Sequence, residues 1–244
     1  MVDRIPKIIH YCWFGKKKKD QLILKCLQSW KKNLPNYEIR EWNEENFPVD
    51  SFEFTRWAYQ KKKWAFVADY VRLFVLYEHG GIYLDTDMLV LKDFSDFLHY
   101  DLVLGKEDER YLSAGMIASE KKHPYLKNLI IYYDSNPVRE PIPKVLTRLF
   151  EEYLQTNNLS QENLEEKNIK VFEAKYFYPF DQNQISKFNY YNAPKESYAV
   201  HLWSYSWGHP LNKVLKKLGL YRIIKYLTEK LALKEKIKKI LQME

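Results

Sequence analysis

The chain has 244 residues, 46% of them hydrophobic and 16% aromatic, which suits one globular domain with at most a small appendage. Seven glycines and no G-x-G-x-x-G or Walker spacing exclude a glycine-rich phosphate loop, and two cysteines, Cys12 and Cys26, exclude a disulfide framework. The net charge of +7 falls wholly in residues 211–244, where ten Lys or Arg face three Glu; with no nucleic-acid motif beside it, this charge does not point to a nucleic-acid partner.

Residues 5–14 form a nearly continuous apolar run, the pattern of a central parallel strand buried on both faces. Gly15 and Lys16 to Lys19 end it. Asp20 is expected to cap a helix in which Ile23, Leu27, Trp30 and Leu34 recur at helical spacing up to Pro35. Residues 37–42 alternate and read as a second strand, giving the strand-helix-strand opening of an α/β domain. A short helix is expected over 51–63 and a stronger one over 65–79, closed by Gly80. Strands at 82–84 and 88–91 flank Asp85 and Asp87. Further strands are expected at 101–105 and 112–119, with an acidic loop at 107–110. Helices near 124–135 and 143–155 follow, and 159–168 is polar and mobile by composition. Val171-Phe172 reads as a short strand, 176–180 as an aromatic segment, and 198–202 as a late strand. From Lys213 onward the chain reads as a basic amphipathic helix, so the expected division is 1–210 and 211–244.

Asp85 and Asp87 carry the chemistry. In an extended segment, side chains at i and i+2 share a face about 7 Å apart. Two carboxylates that close repel unless a proton or a cation lies between them, and a hard ion such as Mg²⁺ or Mn²⁺ takes oxygen ligands and substrate phosphates. The spacing alone is common in solvated turns. Here it follows Ile82-Tyr83-Leu84, a run that calls for burial, and lacks the Gly and Glu of a calcium loop. Asp69 and Arg72 share a face of the 65–79 helix among apolar neighbours, where charges need partners. They pair with each other or point into a site beside Asp85 and Asp87.

Three stretches together resemble glycosyltransferase family 32. They are Ile5-Pro6-Lys7-Ile8-Ile9-His10-Tyr11-Cys12-Trp13-Phe14-Gly15, Ala68-Asp69-Tyr70-Val71-Arg72, and Gly80-Gly81-Ile82-Tyr83-Leu84-Asp85-Thr86-Asp87. The resemblance covers the first 120 residues well, together with 198–207, and is closest to the short bacterial capsular-polysaccharide members. It implies a GT-A-type α/β fold with a central mixed, mostly parallel sheet and a helical C-terminal extension. It also implies a nucleotide-sugar donor held through Mn²⁺ or Mg²⁺, with UDP favoured and GDP-mannose as the other option. Carried over, Asp87 ligates the metal more directly, Asp85 contacts the ribose or sugar or reaches the metal through water, and Asp69 and Arg72 hold donor-sugar hydroxyls. Trp13 stacks on the base, although a core tryptophan ending a strand fits the same position. His10, Tyr83 and Ser113 join the donor-binding set. The family often carries Asn near Ser113 and Ala114, so contacts there differ. His201, in Ala199-Val200-His201-Leu202-Trp203, matches a C-terminal motif and is expected to complete the metal shell or touch phosphate, with Trp203, Ser206 and Trp207 as a lid.

The activity implied is metal-dependent, retaining hexosyl transfer to a glycan acceptor, lipid-linked or not, in capsule or exopolysaccharide assembly. The alternatives are a metal-dependent phosphohydrolase and an inactive carbohydrate- or membrane-binding protein. The basic helix either packs on the core or docks on anionic lipid. No apolar signal segment or membrane-length run is present, so the expected location is cytoplasmic or peripheral on the inner membrane face.

Overall fold

The computed structural model describes residues 2–136, 140–160, 162–182 and 184–204. Ser206, Trp207, the boundary at 210 and the basic helix with its membrane contact lie outside the described residues.

Strand β1 (Ile8–Cys12) leads through α1 (Gln21–Asn33) to β2 (Glu38–Trp42). β1 is shorter than the apolar run from 5 to 14, because its pairing with β2 runs only from Ile8↔Glu38 to Cys12↔Trp42 and Pro6 has no N–H to offer a ladder. Asp20 caps α1, its carboxylate accepting from the Ile23 N–H at 3.1 Å. After α2 (Glu53–Gln60) and α3 (Trp64–His79), the chain reverses at Gly80 and Gly81, with φ of 67° and 105°. A Cβ on Gly81 would stand 2.6 Å from the Ile8 carbonyl oxygen of the neighbouring strand, so only glycine lets β3 (Gly81–Leu84) lie against β1.

Then come β4 (Met88–Val90), β5 (Leu102–Lys106), β6 (Leu112–Ser119), α4 (Pro124–Ser135), α5 (Ile142–Thr156), β7 (Ile169–Phe172) and β8 (Ala199–His201). The six-stranded sheet has the order β2-β1-β3-β6-β5-β7. The pairs β1–β2, β1–β3 and β5–β7 are parallel, while β6 runs antiparallel to both β3 and β5. This is the mixed, mostly parallel α/β sheet expected. Residues 159–168 are less open than their composition suggests, since Leu164 is buried and a 3-10 turn, Glu165–Lys167, leads back into β7.

α3 carries nine buried residues and packs beneath the sheet. Val67, Val71 and Val75 meet a core that includes Cys12, Tyr83 and Ile117, with α4 and α5 completing that layer. On the other side, β4 and β8 form a separate antiparallel pair. α1 fixes this pair through its own side chains: Trp30 Nε1 donates to the Met88 carbonyl (2.7 Å), Asn33 Nδ2 to the Val90 carbonyl (2.9 Å), and Ser29 Oγ accepts from the Val90 N–H (3.0 Å).

Because β3 belongs to the large sheet and β4 to the small one, the chain bends between them. Asp85, Thr86 and Asp87 are therefore a turn, closed by the Met88 N–H on the Asp85 carbonyl at 2.9 Å, and not the extended segment the spacing suggested.

Two buried histidines set an acid limit on this fold. His10 is fully buried and His123 is 4% exposed, and burial pushes the pKa of each down to about 4. The unfolded chain takes up these protons below about pH 6.5 and so binds more protons than the folded one between there and pH 4. Stability is therefore expected to fall as pH falls through that window, by about 1 kcal/mol per pH unit for each histidine. Thermal melts from pH 7 to 4.5 check this; His10→Asn should lower stability overall yet flatten the slope, and an unchanged slope would contradict the assignment.

Candidate active site

Asp85 follows directly from the C-terminal end of β3, beside the same end of β1, where ligands of open α/β sheets gather. Its main chain stays in register with β6, the N–H donating to the Gly115 carbonyl at 2.8 Å. Its Oδ1 accepts from Arg72 Nη1 and from the Tyr83 hydroxyl, both at 3.2 Å.

Arg72 reaches up from α3 and is 5% exposed. Its Nη2 donates to Asp69 Oδ1 (3.1 Å), Nη1 also to the Ala114 carbonyl (2.7 Å), and Nε to the Ala68 carbonyl (3.2 Å). The guanidinium carbon stands 4.4 Å from the Tyr83 ring centre. Asp69 and Arg72 thus do pair, and Arg72 also joins the pair to Asp85. Burial raises the Asp69 carboxyl to about 7; Arg72 opposes that shift and Asp85 adds to it. Burial works against the Arg72 charge too, but Asp85, Tyr83 and Asp69 outweigh it and raise its pKa.

Asp87 faces β8. Its Oδ1 lies 3.0 Å from His201 Nε2, and its Oδ2 accepts from the Ser204 N–H at 2.7 Å. The Leu202 N–H donates to its carbonyl at 2.9 Å. Residues 202–204 therefore wrap around Asp87. Trp203 sits in the left-handed region at φ 51°, an unfavourable state for a bulky residue, and its indole N–H is tied to the Phe180 carbonyl at 2.9 Å. Burial works against both charges, but the pairing prevails, holding Asp87 below the usual carboxylate range and His201 above the usual imidazole range.

One ligand atom from each of Asp85, Asp87 and His201 falls within 4.8 Å of the others. Ligands on opposite sides of a Mg²⁺-sized ion stand about 4.2 Å apart, so small side-chain rotations bring the three onto one ion. Two carboxylates and an imidazole are a donor set for a divalent cation, and the buried His201 Nδ1, without a hydrogen-bond partner among the described residues, remains available to a second-layer partner.

The remaining expected residues divide. Tyr83 and Ser113 are buried beside the carboxylates, Ser113 Oγ accepting from the Gly115 N–H at 3.1 Å. Trp13 follows β1 and is 8% exposed, its indole N–H on the Lys17 carbonyl (2.6 Å) and Lys19 Nζ 5.2 Å from its ring. Trp203 lies with its ring 4.1 Å from His201. His10 does not join them. Its Nε2–H donates to the Gly80 carbonyl (2.8 Å) and its Nδ1 accepts from Trp42 Nε1 (3.0 Å), so both ring nitrogens are committed to holding β1 against β2 and the α3–β3 reversal. That corrects its expected place in the donor-binding set.

The sequence reading missed Ser204, which acts through its main-chain N–H, and Glu107, whose carboxyl burial raises and which His201 and Asp85 influence. It also missed Tyr178, whose only signal was a place in the aromatic stretch 176–180. Cys12 and Cys26 are free and buried, and burial pushes the Cys12 thiol up to about 12.

Residues 20–107 match the glycosyltransferase sugar-binding region containing the DXD motif, and residues 119–222 match the alpha 1,4-glycosyltransferase conserved region. The chain is 25% identical over 200 residues to lactosylceramide 4-alpha-galactosyltransferase of Rattus norvegicus, covering 72% of this chain and 54% of that protein. It is 28% identical over 137 residues to inositol phosphoceramide mannosyltransferase 3 of Schizosaccharomyces pombe, covering 52% of this chain and 36% of that one. The chain thus spans about half the length, or less, of these relatives. Among solved structures, the PaToxG glycosyltransferase shares the fold, with a TM-score of 0.54 and 20% identity over 68% of this chain and 74% of that one.

Proposed function

We propose that this chain, whose residues 20–107 and 119–222 match glycosyltransferase regions, moves a hexose from a nucleotide-sugar to a hydroxyl of a glycan acceptor, giving an α-linked product. The observation that carries this reading is the convergence of Asp85, Asp87 and His201 within 4.8 Å, beside the Arg72 guanidinium that bonds Asp85. Asp85, Asp87 and His201 would hold a divalent cation there, which would supply charge neutralisation on the departing diphosphate.

The protein's own groups do the rest. Arg72, held by Asp69 and Asp85, keeps a positive charge at the floor of the site and adds to stabilisation of the leaving group. Asp69 makes its hydrogen bond to Arg72 Nη2 and has lone pairs left for sugar hydroxyls. His201 shares a proton with Asp87 across 3.0 Å, and its neutral imidazole would be the form able to hold a cation. In this reading Trp13 takes the base, and Trp203 shields the diphosphate from water. The bond from the anomeric carbon to the diphosphate oxygen breaks with its electron pair on that oxygen. The acceptor hydroxyl attacks from the same face, and its proton passes to the departing phosphate. UDP is the favoured nucleotide. A lipid-linked acceptor is favoured because the named relatives act on lactosylceramide and inositol phosphoceramide.

The test is a panel of UDP-glucose, UDP-galactose and GDP-mannose with Mn²⁺, read as nucleoside-diphosphate release with and without glycan and glycolipid acceptors. Release from one donor, enhanced by an acceptor and yielding an α-linkage, is expected. Release of inorganic phosphate without an acceptor would favour a phosphohydrolase, and no release from any donor would favour an inactive binding protein.

A further inference from the structure

Tyr178 is 4% exposed, yet its hydroxyl has no hydrogen-bond partner among the described residues. It is fixed in place rather than loosely packed. Its N–H donates to the Ala174 carbonyl (2.6 Å), and the carbonyl of the preceding Phe177 accepts from the His201 N–H (3.2 Å), which ties this stretch to β8. The ring stands edge-on to His201 at 5.6 Å and lies 6.3 Å from Trp203. Ser113 is near enough to influence it, but no hydrogen bond of ordinary geometry joins the two hydroxyls.

What the hydroxyl faces is set by Gly115. A Cβ there would stand 2.9 Å from Tyr178 Oη and 3.0 Å from Asp85 Oδ2. A glycine therefore lets the phenol oxygen and the carboxylate oxygen both close on the β6 main chain, no more than about 5.9 Å from each other. Asp85 Oδ1 is taken by Arg72 and Tyr83, which leaves Oδ2 as the oxygen on the Tyr178 side. A hydroxyl both donates and accepts; a carboxylate only accepts, and a phenol can donate to a neutral oxygen. The complement to this pair is one alcohol group of a sugar.

We propose that Tyr178 is a specificity-determining residue that reads one hydroxyl of the donor hexose, its O–H donating to that hydroxyl while Asp85 Oδ2 accepts from it. This rests on the nucleotide-sugar reading above. A donor lacking the hydroxyl, or presenting it in the other orientation, leaves the buried Tyr178 hydroxyl unpaired, which is how a polar site rejects a near-identical substrate.

Tyr178→Phe removes the hydroxyl and keeps the ring, so the packing against His201 and Trp203 is retained. With the donor the wild type prefers, the variant is expected to lose about ten- to a hundredfold in kcat/KM. Its affinity for the matching free nucleoside diphosphate with Mn²⁺ should stay within about twofold. Among monodeoxy analogues of that donor, one should lose more in the wild type than the variant loses on the parent, and the variant's further loss on it should be clearly smaller than the wild type's. A variant with wild-type kcat/KM and sugar preference would overturn the assignment, as would one that weakens the free diphosphate as much as the intact donor. A wild type that turns over no donor removes the underlying reading itself, a failure distinguishable because it appears before any variant is made.

Discussion

Asp87→Ala is expected to lower nucleoside-diphosphate release by about a thousandfold or more, equivalent to about 4 kcal/mol of transition-state stabilisation. Three consequences of the substitution coincide. One of the three groups converging within 4.8 Å is lost. His201 loses the carboxylate that lies 3.0 Å from its Nε2, and with it the group that orients the imidazole. The Ser204 N–H loses its acceptor, so the segment carrying Trp203 is held to Asp87 only through the Leu202 N–H. Asp87→Asn separates these effects, because the amide oxygen still accepts from Ser204 while the negative charge is gone. If the charge is what matters, asparagine is almost as damaging as alanine; recovery to within about tenfold of wild type would make Asp87 an architectural residue instead.

Arg72→Leu is expected to produce the largest loss of stability. The guanidinium serves two carboxylates and two carbonyls, and its side chain is 6% exposed. An apolar replacement strands Asp85, Asp69 and the Ala114 carbonyl together. Removing one member of a buried ion pair costs about 3–5 kcal/mol, or about 6–20 °C of Tm at this chain length. Asp69 limits the damage by protonating, since its carboxyl already sits at about 7 with Arg72 present. Arg72→Lys keeps the charge but has no planar fork to span Asp69, Asp85 and Ala114 at once, so it should recover much of the Tm and little of the turnover. Thermal melts beside initial rates distinguish the two losses; equal recovery of both would argue against a directed role for the guanidinium.

The sequence made the α3 and β3 region legible because its signals were local. Gly80 and Gly81 end a periodic helix, and Asp69 and Arg72 share a helical face whatever lies opposite. The convergence of Asp85 with Asp87 was anticipated for the wrong reason: a strand was assumed, whereas a turn between two sheets brings them together. That turn depends on α1 gripping β4 through Ser29, Trp30 and Asn33, contacts between residues about 60 positions apart that no periodicity records. His201 was reached through family resemblance, since a lone histidine in a short strand carries no pattern of its own. Ser204 contributes a main-chain N–H that any residue could supply. His10 misled because it stands inside a recognised motif while its ring is spent on Gly80 and Trp42.

The central claim, that Asp85, Asp87 and His201 join a divalent ion to a nucleoside diphosphate, is tested most directly by titrating UDP and GDP into the protein with and without Mn²⁺ by calorimetry. Binding of one of them should tighten at least about tenfold with Mn²⁺, and Mn²⁺ should bind correspondingly tighter in its presence, because coupling between two ligands is reciprocal. In Asp87→Ala the enhancement should vanish. Diphosphate affinity that is the same with Mn²⁺ and with EDTA, or an enhancement that survives in Asp87→Ala, would contradict the account.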